Sequence, residues 1–194
     1  MPAEKFEVLG LGNAIVDVIA RTEDDFLLQH GLAKGGMMLI DEAAAHRLYD
    51  SMGAATVISG GSAANTIVGL ASFGIRTAFV GKLHDDEAGR SFAHDIRKSG
   101  VHFETAFAKD GASTARCLVL VTPDGERTMN TYLGACQQLG PDDIDEAIVR
   151  NSSILYLEGY LWDPPAAKEA FKKAAAISHA AGHQVSLTLS DSFC

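Results

Sequence analysis

The sequence predicts an α/β fold, with a mostly parallel sheet covered by helices on both faces and a small β-rich insertion. Three observations predict it. Apolar, β-branched runs alternate with helical patterns over much of the 194-residue chain, the order that builds parallel sheets. Between residues 103 and 133, three strand-like runs follow one another with no helix between them. A glycine pair, Gly60-Gly61, joins the β-branched run Thr56-Val57-Ile58 to an Ala-rich helical pattern.

Phe6 to Ala20 reads as one long strand interrupted by Gly10 and Gly12. Gly10-Leu11-Gly12 is half of a dinucleotide fingerprint, but position 15 is Ile and the stretch that follows alternates like a strand, so that reading fails. What remains is a polar pair, Asn13 and Asp17, in an apolar stretch. A carboxylate there is partly buried and needs hydrogen bonds. Thr22 to His30 reads as a helix capped by Thr22, and Met37 to Ile40 as a short strand. Asp41 caps a helix to about Met52, and Ala54 to Ser59 is the strand that enters the central glycines. Glycines there let a backbone approach a ligand. The first-turn N–H groups that follow favour oxygen-rich groups. Asn65 lies in that turn.

A strand at Thr77 to Val80 and a helix opened by Asp85-Asp86, with Ala88, Phe92 and Ile96 on one face, continue the series. Phe103 to Ala108, Ala115 to Thr122 and Arg127 to Leu133 then read as strands, the last two joined by the turn Thr122-Pro123-Asp124-Gly125-Glu126. Together with residues 13–20 and 37–40 they are expected to form a separate antiparallel sheet, a lid over the glycine-rich mouth. The βα series resumes with a short helix opened by Pro141. A strand at Ser153 to Leu157, a helix opened by Asp163-Pro164 and a last strand at Gln184 to Ser190 follow.

Composition narrows the function. The chain is 47% hydrophobic and 21% charged, with formal net charge −9 and pI about 5.1. An acidic chain without a Lys/Arg cluster argues against nucleic-acid binding. No apolar run is long enough to span a bilayer. Cys117, Cys136 and Cys194 make no CxxC pair, and no signal peptide is read at the start, so a reducing, cytoplasmic setting is expected. The histidines show no metal-ligand spacing.

Four segments in this order resemble the ribokinase-like, or PfkB, family of sugar and nucleoside kinases. They are Gly12-Asn13-Ala14-Ile15-Val16-Asp17, Gly60-Gly61-Ser62-Ala63-Ala64-Asn65, Gly81-Lys82-Leu83-His84-Asp85-Asp86-Glu87-Ala88-Gly89 and the lid hairpin. Asn130 to Cys136 looks most like the adenosine-kinase branch. The resemblance implies a three-layer α/β/α fold with a β lid, and transfer of phosphate from ATP, with Mg2+, to a primary hydroxyl of a nucleoside or sugar. It implies that Asp17 accepts hydrogen bonds from the acceptor's hydroxyls with Asn13 supporting it. Gly60, Gly61, Ser62 and Asn65 would hold the remaining hydroxyls, and Leu120, Met129 and Leu133 would line an apolar wall for a purine. Arg127 would clamp the transferring phosphate, or stand as a solvated hairpin arginine. The family's Gly-Ala-Gly-Asp segment, which carries its catalytic base, has no match in the sequence, nor does its Asn-x-x-Glu segment for Mg2+. The resemblance therefore covers the acceptor-binding half, with the base and most of the ATP site expected beyond Cys194. These residues alone are expected to be inactive. A noncatalytic sugar- or nucleoside-binding module is the alternative of another class. A monomer, or a homodimer through the lid, is expected.

Overall fold

A computed structural model describes residues 5–191. Two sheets organise them. The first contains β1 (Phe6–Leu11), β5 (Thr77–Val80), β8 (Ser152–Glu158) and β9 (Gln184–Thr188), in the order β5-β1-β8-β9, with every pairing parallel. The second contains β2 (Ile15–Arg21), β3 (Met37–Leu39), β4 (Ala55–Gly60), β6 (Ala115–Val121) and β7 (Arg127–Tyr132), in the order β3-β7-β6-β2-β4. In it β2–β4 and β6–β7 are antiparallel, whereas β2–β6 and β3–β7 are parallel.

Side-chain alternation along β1 builds the three layers. Leu9 and Leu11 face a core with Leu155, Leu157, Phe171 and Ala174, closed by α5 (Glu146–Arg150) and α6 (Pro165–Ala180). Val8 faces the opposite core, where Ile67 of α3 (Ser62–Ser72) and Phe92 of α4 (Glu87–Lys98) meet Phe79 and Phe103. A third core lies under the second sheet. Val18, Ala20, Leu118 and Leu120 pack on Leu27 of α1 (Asp24–Gln29) and on Ala45 and Leu48 of α2 (Glu42–Ser51).

Several expectations need correction. The long first strand is two strands in different sheets, because the chain leaves the core sheet at Gly12 and enters the lid at Ile15. The strand leading to the central glycines belongs to the lid, where β4 is an edge beside β2. Residues 103–108 form no strand. Isolated bridges, Ala78 to His102 and His84 to Ala108, hold that stretch while Phe103 is buried in the core. The lid is mixed rather than wholly antiparallel, since the β2–β6 and β3–β7 connections are crossovers. Helix α1 starts after Glu23 and has no side-chain cap. Pro141 opens a single 3-10 turn, and α6 begins at Pro165 rather than Pro164. β9 is an edge of the first sheet, with Leu187 and Leu189 exposed. No helix among the described residues is long and apolar enough to cross a membrane.

Candidate acceptor site

The two sheets meet where β1 passes into β2 and β4 passes into α3, and the polar residues picked out in the sequence collect there. β2 and β4 pair so that Ile15 stands opposite Gly60 and Asp17 opposite Ile58. A Cβ on Gly60 would collide with the Asp17 carboxylate, so that carboxylate lies directly over the Gly60 backbone. Gly61 caps α3 at φ 96°, and a Cβ there would strike the Asn13 carbonyl oxygen. Glycine is required at both positions, by close approach at the first and by a left-handed backbone as well at the second.

Glu158, at the end of β8, ties this junction together. It is 1% exposed. One carboxylate oxygen accepts from the Asn13 backbone N–H at 2.6 Å. The other accepts from the Ser62 hydroxyl at 2.5 Å and from the Ala63 N–H at 2.9 Å. A carboxylate suits a helix N-terminus, where N–H groups lack intrahelical partners. Sequence reasoning missed Glu158 as a site residue. The available signal was the one that singled out Asp17, a carboxylate adjoining an apolar run.

Asp17 itself is half-buried on the face of β2 away from α1 and α2. No described residue donates a hydrogen bond to it, so the hydrogen bonds that a partly buried carboxylate needs do not come from the described residues. Burial raises its pKa from 3.8 to about 6, and the positive charge of Arg127 opposes that rise. Beside it in register stand Cys117 and then Thr131, whose hydroxyl lies 3.3 Å from the Cys117 sulfur. Burial, reinforced by the Asp17 charge, pushes the Cys117 thiol up to about 11. The buried Asn13 side chain leaves its Oδ1 without a partner, a second acceptor at the same junction.

The structure brings Asn13, Asp17, Gly60, Gly61 and Ser62 together. Asn65 sits one turn into α3, exposed, beside a cleft of about 180 Å³ shared with Gly60 and Phe92. Met129 lies on the Asp17 side of the lid, in register with Val119 and Ile19. Leu133 is half-buried just after β7, where the chain turns so that Cys136 donates its S–H to the Ala14 carbonyl. Leu120 does not share that surface. At 1% exposure it packs toward α2 with Leu118, because side chains on a strand alternate and it is Val119, also buried, that points to the Asp17 face. The apolar side chains on the Asp17 face are therefore Ile19, Val119 and Met129, of which Ile19 and Met129 are half-buried and present surface.

Comparison with known proteins gives the family and the fold. The profile of the pfkB family carbohydrate kinases matches residues 38–194. The adenosine kinase of Sinorhizobium meliloti superposes with TM-score 0.92 at 54% identity, over 98% of this chain and 58% of that one. A probable sugar kinase of Rhizobium etli CFN 42 gives TM-score 0.92 at 50% identity over the same shares. A 5-dehydro-2-deoxygluconokinase of Shouchella clausii is 27% identical over 185 residues, 94% of this chain and 50% of that protein. The chain spans about half the length of the curated relatives it matches. The fold and the junction between its sheets thus define a ribokinase-like α/β protein with a β lid. The chain belongs to the pfkB family of carbohydrate kinases.

Proposed function

We propose that the protein phosphorylates a primary hydroxyl of a nucleoside, adenosine first, and that these residues supply the acceptor-binding half. The observation that carries the reading is the Asp17 carboxylate. It is desolvated, lies over a glycine backbone and has no donor from the protein, so it is ready for paired hydroxyls. The unpartnered Oδ1 of Asn13 adds an acceptor beside it. The Gly60-Gly61 backbone, Ser62 and Asn65 border the sugar. Ile19, Met129 and Leu133 offer a purine the apolar contact that such rings need. Arg127 is exposed at the lid hairpin, within electrostatic reach of Asp17, and there it steadies transferring phosphate. The second sheet folds over the acceptor and excludes water.

ATP, with Mg2+, supplies the phosphoryl group. Among the described residues no group of three His, Cys, Asp or Glu converges as a metal site. The 194 residues alone turn over no acceptor, because the Gly-Ala-Gly-Asp base segment is absent from them and phosphoryl transfer depends on such positioning and charge stabilisation. A cytoplasmic monomer, or a homodimer through the lid, goes with this reading.

Adenosine is preferred because the adenosine kinase of Sinorhizobium meliloti is 54% identical. A sugar acceptor is the second reading, supported by a probable fructokinase of Arabidopsis thaliana that is 32% identical over 125 residues. Calorimetric titration with adenosine, ribose and fructose decides between them, using wild-type protein and Asp17→Ala. Adenosine is expected to bind most tightly and to lose about thirtyfold or more in the variant, the scale of a charged hydrogen-bond pair. Tighter binding of ribose or fructose replaces the nucleoside reading. Unchanged affinity in a folded Asp17→Ala protein removes the acceptor-site assignment itself.

A further inference from the structure

The helix side of the lid sheet is only partly covered. α1 and α2 close one end of it. Between α2 and α4 a groove of about 760 Å³ stays open. Its floor is Val16, Val18, Val57 and Arg116, and its walls include Tyr49 of α2 and His94 of α4. Register places Arg116 across from Val16, one residue out of phase with Asp17 and Cys117. Arg116 therefore emerges on the face opposite the acceptor site, with strand β6 between the two.

Arg116 is the anomaly in this groove. Its Nε is buried, and no acceptor meets it. Nor does the guanidinium pair with any carboxylate among the described residues. Neighbouring charges are occupied: Arg90 bonds Asp85 at 2.6 Å, while Asp95 accepts from Ser59 at 3.1 Å and lies 3.2 Å from a His94 ring nitrogen. A buried cationic N–H without an acceptor is costly, and a residue on an interior strand has no backbone freedom to withdraw. Glu87, on the first turn of α4, also borders the groove, but it is exposed and solvent screens it. The Arg116 guanidinium is the stronger determinant, since it is only partly exposed, meets no carboxylate, and charge-assisted bonds gain most where water is limited.

We propose that this groove is a second binding site, for a small organic oxyanion. A carboxylate or phosphate group takes the Arg116 fork, and an apolar or aromatic body lies on Val16, Val18 and Val57 beside Tyr49. The planar guanidinium suits either oxyanion, and the volume falls in the range of small-molecule sites, roughly 300–1,000 Å³.

Phenyl phosphate, benzoate and inorganic phosphate are the probes. Binding is followed by calorimetry and by the arginine Nε–H resonances in proton–nitrogen NMR. Phenyl phosphate or benzoate is expected to shift the Arg116 Nε–H signal, and whichever binds more tightly identifies the source of the oxyanion. Arg116→Gln is expected to weaken that binding about tenfold or more, one hydrogen-bonded charge. Val57→Glu alters an exposed floor residue without touching the core, and is expected to weaken it similarly by repulsion. Asp17→Asn leaves it unchanged, which separates this groove from the acceptor site. The proposal is overturned if neither organic probe binds at millimolar concentration, if Arg116→Gln and Val57→Glu bind like wild type, or if Asp17→Asn abolishes binding. Equal affinity for inorganic phosphate also overturns it, since the apolar floor would then contribute nothing.

Discussion

Replacing Asp17 with asparagine should stabilise the unliganded protein at neutral pH while disabling it. The carboxylate's folded pKa of about 6 lies above its ordinary 3.8, so ionisation is easier in the unfolded chain. The stability associated with the protonated group is complete below pH 3.8 and is lost as pH rises through about 6. The full shift would correspond to about 3 kcal/mol, and partial solvent exposure reduces this to about 1–2 kcal/mol. For a domain of this size that is about 2–8 °C in Tm. Thermal unfolding of wild type and Asp17→Asn between pH 4 and pH 8 isolates the effect, because asparagine does not titrate and any constant packing difference cancels. The Tm of the variant, relative to wild type, should climb across this window and level off above the pKa near 6. Acceptor affinity of the wild type should run the opposite way, weakening as pH falls below that value. A Tm difference independent of pH would refute the argument that burial without a donor is what defines Asp17.

Two other substitutions probe the same junction. Gly60→Ala places a methyl group against the Asp17 carboxylate and should cost about 1–3 kcal/mol in stability, with acceptor affinity lost about tenfold or more; wild-type affinity in a calorimetric titration would show that the carboxylate is free to move aside. Glu158→Ala leaves the Asn13 and Ala63 N–H groups and the Ser62 hydroxyl without their acceptor, and should destabilise by about 3 kcal/mol or more in denaturant unfolding, whereas a loss below about 1 kcal/mol would mean that water substitutes for the carboxylate.

Local chemistry made much of this protein readable in its sequence. Asp41 was recognisable as a helix cap and Asp85-Asp86 as a helix opening, and Asp41 and Asp86 each accept a backbone N–H there. The glycines at positions 60 and 61 were identifiable as a strand–helix junction because the residue types on either side change period there. The Thr122–Glu126 turn followed from its Pro-Asp-Gly core, and Gly125 has the positive φ that such a turn demands. Asn13 and Asp17 stood out as polar groups in an apolar stretch. What sequence could not supply was the partner of each strand. Residues 6–20 read as one long strand broken only by Gly10 and Gly12, and nothing local says that the chain changes sheets at Gly12. The run at 103–108 has the composition of a strand, yet α4 and β5 hold it by burying Phe103, and an apolar side chain has no means of announcing which it will be.

Side-chain direction was decided in the same way. Leu118, Val119 and Leu120 are equivalent hydrophobes in sequence. Pairing of β6 with β2 sends Val119 to the Asp17 side and both leucines toward α2, because a one-residue step on a strand reverses the face. Glu158 shows the limit most clearly. Its three donors come from the link between β1 and β2 and from the first turn of α3, between 95 and 145 positions away in the chain. The sequence by itself determined the α/β class, the caps, the turns and the polar residues that gather at the junction of the two sheets, since these depend on neighbours a few positions apart. Only the tertiary structure decided which sheet each strand joined, which face each side chain took and which carboxylate holds the mouth together, because those depend on hydrogen bonds and burial between segments that are remote along the chain.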